Sequence, residues 1–219
     1  MTPIFYGTED ATTVLVQMTD AHEEPSLPRE QELICASCPD EKILLVAVRV
    51  DNWNDDLSPW PAPPVFGKDT FGGKASQTLA RLHDEILPCV RQRLAHPDDA
   101  RFLIGGYSLA ALFALYACYE TDAFAACAAA SPSVWFPSWL DYARQHTMHP
   151  QTVYLSLGDR EPRAKNPTMA RVGACIEAQA ELLADAGKTT TLAWESGGHF
   201  KDSDQRTARA FAWCIEHMM

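Results

Sequence analysis

The stretch Phe102-Leu103-Ile104-Gly105-Gly106-Tyr107-Ser108-Leu109-Ala110-Ala111-Leu112 decides the fold. An apolar run of strand character passes through two glycines into Gly-Xaa-Ser-Xaa-Ala, and a helix-forming run begins at once. A serine on so tight a strand-to-helix turn has strained backbone geometry, and small flanking residues let the chain pass close to itself. The turn exposes the Ser108 hydroxyl above the sheet. It also aims the N–H groups of the helix start at any anion forming beside that hydroxyl. Ala110 stands where the usual G-x-S-x-G spacing has its last glycine. On these residues alone two readings remain: a nucleophilic Ser108, or a serine that caps a helix at a structural glycine turn.

Outward from this turn, short β runs alternate with longer helical stretches. Residues 12–18 (TTVLVQM) and 43–50 (ILLVAVRV) read as buried strands, the second covered on both faces. Further strands are expected at 101–105, 124–130, 153–157 and 189–195. Helices are expected at 27–37, at 77–94 with a kink at Pro88, and at 109–119, 168–186 and 204–217. This alternation implies an α/β fold, a mostly parallel sheet with helices on both faces, in one domain spanning 1–219. Residues 51–76 break the pattern with Trp53, Trp60, four prolines, two phenylalanines and Gly72-Gly73. A loop this long and this aromatic reads as an ordered wall over a site.

A serine nucleophile needs a base, and the base needs an orienting carboxylate. In the order serine, acid, histidine, the base must lie downstream of Ser108, at 146, 149, 199 or 217. His146 and His149 sit in a polar loop and His217 in the tail. His199 stands in Glu195-Ser196-Gly197-Gly198-His199-Phe200, directly after the last expected strand, where a loop overlooks the carboxyl edge of the sheet. The acid should follow the preceding strand, which ends in Gly158-Asp159-Arg160-Glu161. Glu161, three residues beyond the glycine, is favoured. Asp159 is the alternative acid, or else holds the loop or pairs with Arg160.

Composition narrows the function classes. With 18 basic and 29 acidic residues the formal charge is −11, which disfavours a phosphate-binding surface, so no nucleic-acid partner is expected. No apolar run approaches the roughly 20 residues that span a bilayer. The start, Met1-Thr2-Pro3-Ile4-Phe5-Tyr6-Gly7, lacks the pattern of an export signal, so a cytoplasmic protein without a membrane partner is expected. Seven scattered cysteines read as reduced thiols. Cys35-Ala36-Ser37-Cys38 has a redox spacing, but a helix end before Pro39 is the preferred reading, and no second pair completes a zinc site. Neither a metal nor an organic cofactor is called for.

At this point the residues resemble the Putative esterase family of α/β-hydrolases, which includes siderophore esterases, S-formylglutathione hydrolases, feruloyl esterases and mycolyltransferases. The resemblance is carried by Gly105-Gly106-Tyr107-Ser108-Leu109-Ala110, Ser131-Pro132-Ser133-Val134-Trp135, Gly158-Asp159-Arg160-Glu161 and Gly198-His199-Phe200. Upstream, Asp56-Leu57-Ser58-Pro59-Trp60-Pro61-Ala62-Pro63 is similar to the Leu-Thr-Pro-Trp loop of siderophore-type esterases. The resemblance implies that Ser108 is the nucleophile, His199 the base and the carboxylate of the Gly158 loop the third member. It implies that the Leu109 N–H is one oxyanion donor and that a second comes from Met18-Thr19-Asp20, with Thr19 the candidate. Family members often carry a glycine there and this chain does not. The chain is also short before its first long strand, leaving little room for the two extra strands that many members have.

The function expected is therefore hydrolysis of a small-molecule carboxylic ester through an acyl-enzyme. Trp53, Trp60 and Trp135, with Phe136 and Trp139, are the aromatic supply for an apolar acyl or aryl pocket, although some of them are ordinary core. An acyltransferase on the same fold and a non-catalytic binding protein are the alternatives.

Overall fold

Ile43-Leu44-Leu45-Val46-Ala47-Val48 is buried along its whole length. Such a run is stable only where both faces of its sheet are covered. The structure, a computed structural model, describes residues 2–65 and 67–218. Phe66, one of the two phenylalanines expected in the wall, lies outside the described residues. In chain order the elements are β1 (Pro3–Gly7), β2 (Thr13–Thr19), α1 (Leu27–Ser37), β3 (Ile43–Arg49), α2 (Trp53–Leu57), β4 (Pro61–Ala62), β5 (Phe71–Gly72), α3 (Ala75–Arg81) and α4 (Leu87–Arg93). There follow β6 (Arg101–Tyr107), α5 (Ser108–Glu120), β7 (Ala126–Ala130), α6 (Trp139–Gln145), β8 (Thr152–Gly158), α7 (Pro167–Ala170), α8 (Val172–Asp185), β9 (Thr189–Glu195) and α9 (Ser203–His217).

Seven strands form the main sheet in the order β1-β3-β2-β6-β7-β8-β9. All neighbours run parallel except β1, which is antiparallel to β3. Side chains alternate between the faces. Val14, Val16, Met18, Val46, Ile104 and Leu155 join α5 and the helices around it in the larger core. Leu15, Leu45, Leu103 and Tyr154 pack beneath α1 and α9 on the other face. The alanines of β7 let those layers close, and a Cβ added to Gly105 would lie 2.6 Å from the Phe211 ring of α9. Helix α5 is buried from Leu109 to Tyr119, sealed between sheet and outer helices, which is why its sequence is apolar all round.

Several expectations are corrected. The helix expected at 77–94 is not kinked at Pro88 itself. It widens into a π turn at Leu82–Ile86, just upstream of the proline that has no N–H to offer the carbonyl four residues back. The helix expected at 168–186 is split into α7 and α8 at Arg171, and Gly187 at φ +71° follows its end as read. The short amino-terminal stretch does supply one strand, β1, which pairs with β3 by alternating Ile4 and Tyr6 against Phe5. The wall is ordered: Ser58 accepts from the Gly73 N–H at 2.9 Å and so ties the start of the β4–β5 hairpin to its end. Cys35 and Cys38 sit at the end of α1 with free thiols pushed up by burial, the opposite of a reactive pair. No helix among the described residues is long and apolar enough to cross a membrane.

Beneath β2, Glu30 of α1 is 2% exposed, with the Gln17 amide 3.5 Å from one oxygen. Glu30 Oε1 and Gln17 Oε1 have no partner. Burial, with Glu23 and Asp204 nearby, pushes the Glu30 carboxyl well above its ordinary value, and burial beside Asp20 pushes Glu23 up to about 7. A carboxyl whose pKa is raised by folding contributes stability that is fully present below its unfolded value and fades as pH climbs toward the folded one. The protein should therefore lose stability between about pH 5 and 8, as Glu23 charges and as the unfolded chain releases the Glu30 proton that burial retains in the folded one. Glu30→Gln should stabilise the fold at pH 8 by about 1–3 kcal/mol, the cost of one unsatisfied buried group, and narrow the difference between the two pH values. Urea midpoints at both pH values measure this; a variant weaker than the parent at pH 8 contradicts it.

Candidate active site

Four adjacent strands, β6 to β9, deliver one functional segment each at their carboxyl ends. Ser108 follows β6 directly as the first residue of α5, at φ +57°, a left-handed conformation for a residue with a Cβ. Such a position costs on the order of 1–3 kcal/mol and persists only where its surroundings dictate it. Gly106, at φ +151°, provides the room, since a Cβ there would stand 3.0 Å from that of Ala110. Ala110 therefore fits in place of a glycine because Gly106 has no side chain.

The structure brings Ser108, Glu161 and His199 into one chain of hydrogen bonds. His199 Nε2 lies 2.9 Å from Ser108 Oγ, and His199 Nδ1 lies 2.7 Å from Glu161 Oε2. With the ionised carboxylate accepting from Nδ1–H, Nε2 is left with its lone pair toward the serine hydroxyl. Glu161 Oε1 accepts from the Gly158 N–H at 2.8 Å and from the Ser131 hydroxyl at 2.8 Å. Burial pushes the Glu161 carboxyl up, but His199, Gly158 and Ser131 outweigh it and hold the group below its ordinary value. Asp159 turns the other way: its Oδ1 accepts the Gly197 N–H at 2.8 Å, so it braces the histidine loop and does not touch the imidazole. Of the two acids open from the sequence, Glu161 is the one hydrogen-bonded to the imidazole.

Three supporting residues were not found by the sequence reading. Arg206 of α9, 1% exposed, reaches Glu161 Oε1 at 3.3 Å, Tyr107 Oη at 3.0 Å and Ser131 Oγ at 3.4 Å through Nη1. Its Nη2 donates to the Ser196 and Gly198 carbonyls at 3.2 and 3.3 Å. Tyr107 donates to the His199 carbonyl at 2.7 Å, and burial pushes its phenol up to about 12, so it remains a neutral donor. Ser131, at φ +44°, follows β7 and hands its hydroxyl to Glu161. The one signal in the sequence was an arginine on the buried stripe of α9, in line with Ala210 and Cys214, where a cation is rare unless paired.

Leu109, second residue of α5, has an N–H in the first helical turn, where no carbonyl of the helix is available to it. Thr19 ends β2, and extending the β2–β6 register of Gln17 with Gly105 sets it level with Tyr107. Asp20 beyond it accepts the N–H groups of His22 and Glu23 at 2.8 and 2.9 Å, forming a tight turn without glycine.

The aromatic residues separate. Trp53 opens α2 and lines a cavity of about 360 Å³ with Asp20, His22 and Arg49, at the ends of β2 and β3. Trp60 donates its indole N–H to the Pro137 carbonyl at 2.9 Å and packs on Phe136 and Tyr142, fastening the wall to the segment after β7. Trp135 is 8% exposed against Phe71 and Phe136. Phe136 and Trp139, for which pocket and core were both open from the sequence, are core, the latter with its N–H on Gln179 at 2.9 Å. Phe200 does the opposite, standing almost fully in solvent with its ring edge-on to that of His199, 5.3 Å away. A larger cavity of about 760 Å³, between Cys38 and Trp213, holds none of these groups. Among the described residues no cluster of three or more His, Cys, Asp or Glu side chains is arranged to hold a metal ion.

Comparison with known proteins bears on the family and the fold. Residues 19–203 match the family described as Putative esterase. The uncharacterized protein YbbA of Bacillus subtilis is 25% identical over 130 residues, covering 57% of this chain and 52% of that protein, so the likeness spans about half of it. An IroE-like serine hydrolase from Shewanella oneidensis superposes with a TM-score of 0.73 at 16% identity, covering 98% of this chain and 74% of that one. The siderophore hydrolase EstA of Aspergillus nidulans gives 0.67 at 20% identity, covering 95% and 84%. The shared fold is the α/β-hydrolase fold.

Arg206→Met should destabilise the protein by about 3–5 kcal/mol, because it strands the buried Glu161 carboxylate without its cation. The double variant Arg206→Met/Glu161→Gln should recover part of that loss. Denaturant midpoints of the two variants measure the coupling, and strictly additive losses would show that the two side chains do not depend on one another.

Proposed function

Because the chain belongs to the Putative esterase family, we propose that it is a serine hydrolase that cleaves a carboxylic ester of a small molecule. The observation that carries this reading is the relay from Ser108 through His199 to Glu161, at 2.9 and 2.7 Å. Ser108 Oγ attacks the ester carbonyl as His199 Nε2 takes its proton, and the buried Glu161 carboxylate fixes the imidazole and stabilises its cationic form. The tetrahedral oxyanion is received by the Leu109 N–H at the start of α5 and by the backbone of the turn at Thr19–Asp20. His199 then returns the proton to the departing alcohol. Water activated by the same imidazole releases the acyl group from Ser108, which regenerates the enzyme.

No metal or organic cofactor enters this cycle. Of the tryptophans read from the sequence we take Trp53 as a substrate contact; in support, it lines a cavity at the ends of β2 and β3, next to Thr19. Seven free cysteines fit a reducing compartment, and we place the protein in the cytoplasm.

A fluorophosphonate probe should label the protein at Ser108, and Ser108→Ala should abolish both labelling and turnover of p-nitrophenyl butyrate. Glu161→Gln should lower kcat by roughly 10³–10⁴-fold, as loss of the orienting acid does in serine hydrolases. Asp159→Asn, which disturbs only a loop brace, should cost far less. Equal losses from the two substitutions would overturn the assignment of the acid.

A further inference from the structure

Phe200 is 95% exposed and immediately follows the histidine of the site. A lone surface aromatic needs no explanation when its loop is loose. Here the loop is tightly held. The Gly197 N–H is on Asp159, the Ser196 and Gly198 carbonyls on Arg206, the His199 carbonyl on Tyr107, and the Lys201 N–H on the Gly198 carbonyl. Five backbone groups within six residues are thus fixed, which holds the Cα of Phe200 beside the imidazole. The ring is presented to solvent at 5.3 Å from the imidazole, at an interplanar angle of 82°.

The chemistry states which part of a substrate meets that ring. In ester cleavage the leaving oxygen takes its proton from the histidine, so it must come within hydrogen-bond reach of the imidazole, about 2.6–3.2 Å. The atoms attached to that oxygen belong to the alcohol. The acyl oxygen is committed to the N–H groups at the start of α5 and the end of β2, on the far side of Ser108 from the β9 loop.

We propose that Phe200 is a specificity-determining residue, a platform on the leaving-group side of the site that accepts a flat, apolar alcohol portion such as a phenol. The proposal rests on the ester-hydrolase reading above. A phenyl ring departing past His199 stacks on, or abuts edge-on, the Phe200 ring, and both rings lose water as they meet. An aliphatic alcohol of two or three carbons makes little of this contact. The same ring on the acyl side of the ester does not reach Phe200.

The test uses the purified full chain and three esters: phenyl acetate, 2,2,2-trifluoroethyl acetate and methyl phenylacetate. Fluorophosphonate labelling at Ser108 and Ser108-dependent turnover are measured first; if both are absent, the esterase reading falls and the platform with it. Given turnover, Phe200→Ala should reduce the preference for phenyl over trifluoroethyl acetate in kcat/KM by roughly 3–10-fold, the worth of one aromatic contact, chiefly through KM. Phe200→Tyr should restore it. Methyl phenylacetate should shift no more than trifluoroethyl acetate. A uniform loss on all three esters would make Phe200 a positioning residue for the His199 loop, and a selective loss on methyl phenylacetate would put it on the acyl side. Either result, or an unchanged preference, overturns the proposal while leaving the esterase reading intact.

Discussion

One buried ion pair holds the site together. Glu161 lies under the histidine with 5% of its side chain exposed, and Arg206 lies beneath it with 1%. A carboxylate so enclosed is costly unless its lone pairs are filled, and they are filled by an N–H from β8, a hydroxyl from β7, a guanidinium from α9 and the imidazole from the β9 loop. Each of those groups comes from a different element. Satisfying one charge therefore fixes four pieces of chain relative to each other, and the serine turn at the end of β6 joins them through Tyr107. Arginine suits this place because its planar fork reaches several acceptors at once, which the single ammonium of a lysine cannot do.

The parallel sheet explains why those pieces arrive together. Neighbouring parallel strands end at the same edge, so the segments after β6, β7, β8 and β9 are side by side before any side chain is considered. Two of them begin with a serine in left-handed conformation, Ser108 at φ +57° and Ser131 at φ +44°. The strain at both is sustained by the layers packed above and below: α5 is buried from Leu109 to Tyr119 over one face, and α9 is drawn tight against Gly105 and the β7 alanines on the other. A looser sandwich would let the turns relax and lower the serine hydroxyl from its place beside the imidazole.

Much of this was legible in the sequence because it is local or periodic. The apolar run at 43–50, the Gly-Tyr-Ser turn and the glycine-rich loop before His199 each announce themselves within a few residues. The parallel sheet with helices on both faces then followed from alternation; the order of its strands did not. Glu161 was favoured over Asp159 from its spacing after Gly158; in the structure its carboxylate turns back onto the Gly158 N–H, whereas Asp159 points across to Gly197. The helices α2 and α6, of five and seven residues, span two turns or fewer, too little for a helical period to emerge. The tryptophans could not be sorted at all, since whether one lines a cavity or a core depends on where its indole N–H finds a partner. Trp139 finds Gln179 and Trp60 finds Pro137, contacts across long stretches of chain. Arg206 was missed for the same reason, because its five acceptors come from four separate segments.

That arginine sits in α9, after every strand of the sheet. During synthesis the serine turn can form as soon as β6 and α5 pack, but the cation that gathers the remaining loops leaves the ribosome only after β9. Until then the chain holds an exposed acid, an untethered imidazole and a strained hydroxyl that do not yet work as one unit. The clasp on these loops is thus the last part of the chain to be made, so a nascent chain carrying a complete sheet still lacks the group that gathers its carboxyl edge.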